Sequence, residues 1–461
     1  IARLKADLDA VREQRDKSEK AAAVATAERD SERKRADDNA KQCESLNISL
    51  QAAQTQAAAL TDALQTAQKT QSELTAALTA AEEKGNTVIL LERQSRVGRK
   101  LLATGNGRCN LTNTGAAIEN YHGENASFAQ KTLESFSPAE AVSWFRSLGL
   151  VTVEQYGGRV FPLSDSAGSV LDVLRFALDA AGVDVHTGEP ATRLVFQGEK
   201  LSVVTEKAVI PADAVIVACG GKAGGKLGGV SDGYELLASL GHHCTPLYPA
   251  LVPIRTDTDY PRSLKGVRAE VSLKLVRGDV LCKESCGELQ FTEKGVSGPA
   301  AFDLSREASV GGGELVLDFL PCLSERETIA MLSRRRDLSP ELENGSVFAG
   351  MLHSRLGMAV VRASGIRPSG SIGTISGRQL AVLAHTAKTF RLRITGTDSF
   401  DNAQVTAGGM TTEEFHSGTL ESLLVSGVFA CGEVLDLDGD CGGYNLQWAW
   451  ASGRLAGRIG K

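Results

Sequence analysis

The first 84 residues contain neither glycine nor proline, and all 48 glycines of the 461-residue chain lie beyond them. Both residues interrupt helices, glycine through its backbone freedom and proline through its missing N–H. A segment lacking both, followed by a glycine-rich remainder, predicts one long helix joined to a body full of turns. Positions a heptad apart from Ile1 run through Leu8, Ala22, Leu50, Leu64 and Leu78. A companion set from Leu4 runs through Val11, Ala25, Leu46, Leu60 and Leu74, with polar breaks at Arg15, Ser18, Arg29 and Asn39. A continuous helix of this length would extend about 125 Å at 1.5 Å per residue and needs a partner strand to be stable. The expectation is a coiled-coil helix over residues 1–84 that assembles a homo-oligomer. A solvated alanine-rich helix is the plainer alternative.

Charge and cysteine usage narrow the function. A net charge of -6 and a pI near 5.8 argue against a nucleic-acid partner. No apolar run approaches the ~18 residues needed to cross a bilayer, so no membrane partner is expected. Nine irregularly spaced cysteines suit reduced thiols in a cytoplasmic protein. Cys282 and Cys286 form one close pair, but no second pair or nearby histidines complete a metal site. Asp436, Asp438 and Asp440 alternate like calcium ligands, yet the glycine and closing glutamate of such a loop are missing. The adjacent His242 and His243 follow a predicted helix and suit a structural role. No metal is expected.

The chemistry-bearing stretch is Gly98–Asn113, GRKLLATGNGRCNLTN. Gly105 and Gly107 flank Asn106, so the backbone there can take positive φ and approach a ligand closely. Arg99, Lys100 and Arg108 surround that bend with positive charge suited to phosphate or an electron-rich ring. Just upstream, Asn86–Glu92 (NTVILLE) is a short apolar run closed by a carboxylate, where a dinucleotide fold grips a ribose hydroxyl. Helices are predicted over Pro138–Leu148, Ser169–Ala181, Gly233–Leu240 and Leu446–Ala456, and strands over Asp213–Ala218 and Val428–Ala430. Residues 251–322 alternate apolar and polar in the manner of an antiparallel barrel or sheet, and residues 323–400 read as a helical insert with return strands.

These stretches are similar to a known family. GRKLLATGNGRCNLTN resembles the signature of the HI0933-like flavoproteins, the BaiN/RdsA family of NAD(P)/FAD-dependent oxidoreductases. Three later stretches resemble the same family in the same order: Val215–Gly233 (VIVACGGKAGGKLGGVSDG), Phe291–Ser305 (FTEKGVSGPAAFDLS) and Thr406–Gly457, with its ACGEVLDLDGDCGGYNLQWAWASG. The similarity runs from about Ala76 to the C-terminus.

The resemblance implies an α/β fold: a Rossmann-like FAD-binding domain over 85–250 and 401–461, interrupted by a β-domain and a small helical domain. It implies FAD as cofactor, NAD(P)H as electron donor, and a small-molecule, enone-like acceptor. Flavin-site residues carried over by it are Glu92, Arg93, Lys100, Gly105, Asn106, Gly107, Arg108, Cys109, Asn110, Gly220, Gly221, Gly432, Glu433, Gly442, Gly443, Tyr444 and Asn445. Cys109 is open to two roles, a redox thiol beside the ring or an inert packed side chain. No residue stands out as the catalytic acid.

One departure is plain. Counting about 20 residues back from Glu92 places the family's glycine turn near Lys69–Leu74, which reads KTQSEL. The first strand and the pyrophosphate-binding turn are replaced by the coiled-coil segment, which leaves the centre of the parallel sheet empty. The leading expectation is therefore a flavin-dependent oxidoreductase. The alternative is a coiled-coil interaction protein whose flavoprotein body no longer binds FAD.

Overall fold

A computed structural model describes residues 71–459, apart from 84, 198–199 and 226–228. The coiled coil expected from residue 1 thus lies outside the described residues up to residue 70. Its last part is described, and it belongs to the body. Helix Gln71–Glu82 is covered all round: Leu74, Ala77 and Leu78 enter one core with Phe145 and Trp450, while Ala76 enters another with Trp448 and Tyr234. The heptad leucines Leu74 and Leu78 therefore pack against the body rather than a partner strand, and the boundary expected at residue 84 falls earlier.

The alanine and hydroxyl residues of this helix have a separate purpose. It lies against the C-terminal helix Tyr444–Ala456, which presents Gly453 and, just beyond its end, Gly457. A methyl group on Gly453 would stand 2.5 Å from the Ser72 carbonyl oxygen, and one on Gly457 would stand 2.6 Å from that of Ala76. Small residues on both sides let the two backbones touch, and interiors packed this tightly leave no slack for an added carbon.

Two parallel pairs mark the Rossmann-like sheet. Strand Ile89–Glu92 pairs with Asp184–Thr187, and Val215–Val217 pairs with Val428–Ala430. Among the described residues no strand joins the two pairs. Helix Ala167–Ala180, capped by Ser166, packs its Leu171, Leu174 and Leu178 against helix Gln71–Glu82 and the glycine-rich loop. A three-stranded meander, Ala191–Gln197, Lys200–Thr205 and Val209–Ala212, leads back into the sheet.

The insert is a closed six-stranded barrel in the order Ile254–Thr256, Gly295–Ser297, Val280–Phe291, Arg268–Arg277, Glu314–Asp318 and Phe390–Thr397. Alternation along Arg268–Arg277 sends Val271, Leu273 and Leu275 inward, where they meet Leu289, Leu315, Leu317 and Leu392. Helix Pro299–Gly311 interrupts the stretch 251–322, where alternation predicts strands alone, and packs on this barrel. Helices Glu325–Leu338, Ser354–Ala363 and Gly377–Lys388 share the barrel's core and form the expected helical insert. Strands Tyr248–Ala250 and Val405–Ala407, paired antiparallel, carry the chain out of the body and back.

The helix contact yields the first prediction. Gly453→Ala should lower stability by about 1–3 kcal/mol, the usual cost of overpacking, as read from the urea midpoint at constant slope. A variant as stable as the parent would show that the backbones need not touch.

Candidate functional site

The glycine-rich loop closes as a tight irregular turn. Gly105, Asn106, Gly107 and Cys109 have φ values of 55°, 65°, 80° and 59°, and the Cys109 N–H donates to the Thr104 carbonyl at 2.8 Å. The left-handed run thus extends to two residues that carry side chains, which the loop's own hydrogen bonds must hold in place. Cys109 is fully buried, and burial pushes its thiol up to about 12. It is a packed, protonated side chain rather than a nucleophile.

Lys100, from the start of this loop, is also fully buried. Its Nζ lies 3.2 Å from Glu433 Oε2, at the end of strand Val428–Ala430. Burial lowers the lysine below its ordinary range, opposed by the neighbouring carboxylate. Glu433 Oε1 accepts from the Thr406 N–H at 2.8 Å, and the Thr406 hydroxyl accepts from the Ala223 N–H at 3.0 Å. Gly221 lies so close that a methyl there would be 2.3 Å from Glu433 Oε1. One buried ion pair therefore gathers all three glycine-rich segments, with Gly220 and Gly432 beside it in left-handed conformations. Thr406 was not singled out from the sequence, although it opens the third of the motifs downstream of the glycine-rich loop.

A second group surrounds the N-terminus of helix Tyr444–Ala456. Gly442 and Gly443 adopt φ of 151° and 102°. Asn113 Nδ2 donates to the Gly442 carbonyl at 3.0 Å, and Thr112 Oγ1 donates to Gln447 Oε1 at 2.6 Å. A methyl at Gly443 would lie 3.1 Å from Asn110 Oδ1, and that buried oxygen has no hydrogen-bond partner among the described residues. Asn445 turns away and clamps the preceding loop, accepting from the Gly439 N–H and donating to its carbonyl, both at 2.8 Å. The Tyr444 ring meets that of Tyr121 edge to face at 6.3 Å.

The remaining expected residues lie further out. Glu92 is buried at its strand end, where Oε1 accepts from the Gln94 N–H at 2.6 Å. Arg93 pairs with Asp232, which ties the end of strand Ile89–Glu92 to the motif Val215–Gly233. Arg108 sits at the surface, paired with Asp165 and lying 4.2 Å over the Phe161 ring. Its charge is thus taken up by the loop's own support.

The three alternating aspartates each find a different partner. Asp436 Oδ2 accepts from the Glu124 N–H at 3.0 Å, Asp438 Oδ1 pairs with Arg306 at 3.2 Å, and Asp440 Oδ1 meets His122 at 2.8 Å and Lys283 at 3.0 Å. Asp303 accepts from the Cys441 N–H at 3.0 Å and from the Ser285 hydroxyl at 3.2 Å. His122, Lys283, Asp303 and Arg306 come from three separate segments; only Asp303, inside the Phe291–Ser305 motif, and Arg306, directly after it, belong with a recognised motif. Sequence spacing carried no signal for the other two.

His242 is fully buried between Glu414, at 2.9 Å from Nδ1, and the Ser422 hydroxyl, at 2.8 Å from Nε2. The order resembles a hydrolytic triad. The Ser422 oxygen, however, already accepts the N–H groups of Leu424 and Val425, at 3.1 and 2.9 Å, so it is held as a turn cap. The structural role expected for this histidine fits.

A Rossmann-like sheet, glycine-lined turns at strand ends and a capping barrel define a dinucleotide-binding oxidoreductase of the flavin-dependent class. The chain belongs to the HI0933-like family: the model of the HI0933-like protein Rossmann domain matches residues 71–459. It is 38% identical over 376 residues to the 3-dehydro-bile acid delta(4,6)-reductase of Clostridium scindens, covering 80% of this chain and 92% of that protein. It is 28% identical over 376 residues to the ribosomal RNA dihydrouridine synthase of Escherichia coli (81% and 91% covered). With the enzyme of the same name from Haemophilus influenzae it shares 27% over 374 residues (80% and 91% covered).

The residues present fit the flavin end of FAD. The unpartnered Asn110 oxygen offers an acceptor, Gly442 and Gly443 expose backbone, and a thirteen-residue helix directs its N–H groups at the same place. At the other end Glu92 closes strand Ile89–Glu92 with its carboxylate buried, whereas the segment leading to helix Gln71–Glu82 has no glycine.

Two outcomes test the electrostatics. Lys100→Met should cost about 3–5 kcal/mol, because it strands the Glu433 carboxylate in the interior, and adding Glu433→Gln should recover part of the loss in urea unfolding. Burial pushes the Asp438 carboxyl up to about 6, against the pull of Arg306. Its folded value lies above the unfolded one of 3.8, so the contribution of Asp438 to stability is fullest below pH ~4 and is lost as pH rises through ~6. Asp438→Asn should remove this fall, about 3 kcal/mol at ~1.4 kcal/mol per pH unit, from a stability–pH profile.

Proposed function

We propose that this protein is an FAD-dependent reductase that draws electrons from NAD(P)H and saturates a carbon–carbon double bond in an enone-like small molecule, working in the cytoplasm. The observation that carries this reading is the partnerless Asn110 oxygen beside the two glycines at a helix N-terminus, within a family of flavin-dependent oxidoreductases. FAD, when bound, supplies the hydride chemistry. The chain supplies the rest. The helix N-terminus and the Gly442–Gly443 amides favour negative charge gathering next to them, and the Lys100–Glu433 pair holds the glycine-rich segments in register.

The acceptor class follows the more similar relative, whose name describes a bile-acid reductase, at 38% identity against 28% for the ribosomal RNA enzyme. The acidic balance of the chain also suits a small molecule better than RNA. Among the described residues no helix is long and apolar enough to cross a membrane. A homo-oligomer held by residues 1–84 is part of the same proposal and rests on their heptad phase. The family match and the reductase relative favour an enzyme over an interaction protein with a degenerate body.

The test uses the full chain with added FAD. A flavin absorbance band should stay with the protein through gel filtration. NADH or NADPH should then be consumed on adding 3-oxochol-4-enoic acid. A colourless protein that leaves FAD behind would overturn the proposal. Dihydrouridine formation in ribosomal RNA without enone reduction would reassign the acceptor.

A further inference from the structure

We infer that His122 is the proton donor to the acceptor, with Asp440 and Lys283 as its positioning residues; this rests on the enone-reductase reading above. The three side chains come from separate places and meet where the body faces the barrel. His122 ends strand Tyr121–His122, which pairs antiparallel with Asp438–Gly439. Lys283 comes from barrel strand Val280–Phe291, and Asp440 from the loop that runs directly into Gly442 and Gly443. His122 Nε2 lies 2.8 Å from Asp440 Oδ1, and Lys283 Nζ lies 3.0 Å from the same oxygen and 3.4 Å from Nε2. His122 Nδ1 makes no hydrogen bond among the described residues, so it is the atom placed to release a proton.

Accessibility separates this trio from the neighbouring carboxylate of Asp438. Asp438, two residues before Asp440, is sealed at 2% exposure against Arg306, as suits a bond that only joins two domains. His122, Asp440 and Lys283 keep 26%, 21% and 25% of their side-chain surface open. A clamp gains from exclusion of water, whereas a proton donor must be reachable by substrate and refilled by solvent. Burial raises the Asp440 carboxyl, but the contacts from His122 and Lys283 outweigh it and hold the group below the usual carboxylate range. Asp440 therefore stays ionised beside His122 Nε2.

The chemistry requires such a group. Saturating the double bond of an enone adds two electrons and two hydrogens. Reduced nicotinamide gives up both electrons with one hydrogen, as hydride, and is itself oxidised. The second hydrogen must arrive as a proton at the carbon next to the carbonyl, where otherwise an enolate would remain. In the assigned step the His122 N–H bond breaks, the enolate electron pair forms the new C–H bond, and the imidazole left neutral regains a proton from water. Besides Asp440 and Lys283, the charged group facing this imidazole is Asp438 from its paired strand, itself paired with Arg306 of helix Pro299–Gly311.

The test separates the two half-reactions of the FAD-loaded protein by stopped flow. With 3-oxochol-4-enoic acid as acceptor, His122→Gln should slow oxidation by the acceptor about 10²–10⁴-fold while reduction by NAD(P)H keeps its rate. In the wild type the acceptor half should fall as pH rises and show a solvent isotope effect. Lys283→Met, which removes a nearby positive charge, should move that fall to higher pH, and Asp440→Asn should move it lower. An undiminished acceptor half in His122→Gln, equal slowing of both halves, or a pH profile unmoved by both other variants would overturn the inference. A wild-type protein that binds FAD and reduces no enone would instead strike the reductase reading itself.

Discussion

The architecture depends on the contact of two helices from opposite ends of the body. Helix Gln71–Glu82 and helix Tyr444–Ala456 touch through Ser72, Ala76, Gly453 and Gly457 with their backbones in near contact. That contact is possible only because neither side carries bulk. It sets helix Gln71–Glu82 between two cores, where Leu74 and Leu78 serve one and Ala76 the other. It also holds the last motif of the chain over the first. Trp448 and Trp450, on the same helix, donate to the Gly432 and Leu111 carbonyls and so tie both glycine-rich segments to that axis.

Around this axis the chain places charge where water is scarce. Lys100 and Glu433 are 333 residues apart in sequence and share one buried hydrogen bond. Such a pair adds little net stability, because each partner loses its hydration, but it is strongly directional. Its effect is to fix which turns face which: Gly221 can approach only where the Glu433 carboxylate is already held by Lys100 and the Thr406 N–H. Specificity of arrangement, rather than added stability, is the reason to bury it.

The seam between body and barrel follows a similar logic in two grades. Asp438 is sequestered and fastens the insert, while Asp303 and Asp440 are left partly open, Asp440 with a histidine and a lysine. The alternation of three aspartates along an extended loop sends each carboxylate to a different neighbour, which is why the pattern resembles a cation loop in sequence and distributes to three partners in space.

Much of the body was legible because local rules suffice for it. A capped, amphipathic Pro138–Ser147 helix, the Val428–Ala430 strand and the inward alternation of the barrel strands are each written in a few consecutive residues. The ordered glycine motifs likewise determined the family and most of the ground around Asn110, Glu433 and Gly443. Helix Gln71–Glu82 was harder. Its leucines keep a heptad phase with the preceding residues, and only the tertiary structure shows them facing Phe145 and Trp450. The sequence alone likewise could not pair Lys100 with Glu433, exhaust the charge of Arg108 on Asp165, or bring His122, Lys283 and Asp440 together. Periodicity and turn chemistry act between near neighbours and survive in a one-dimensional record, whereas an ion pair or a shared proton depends on distances that exist only once the cores have closed.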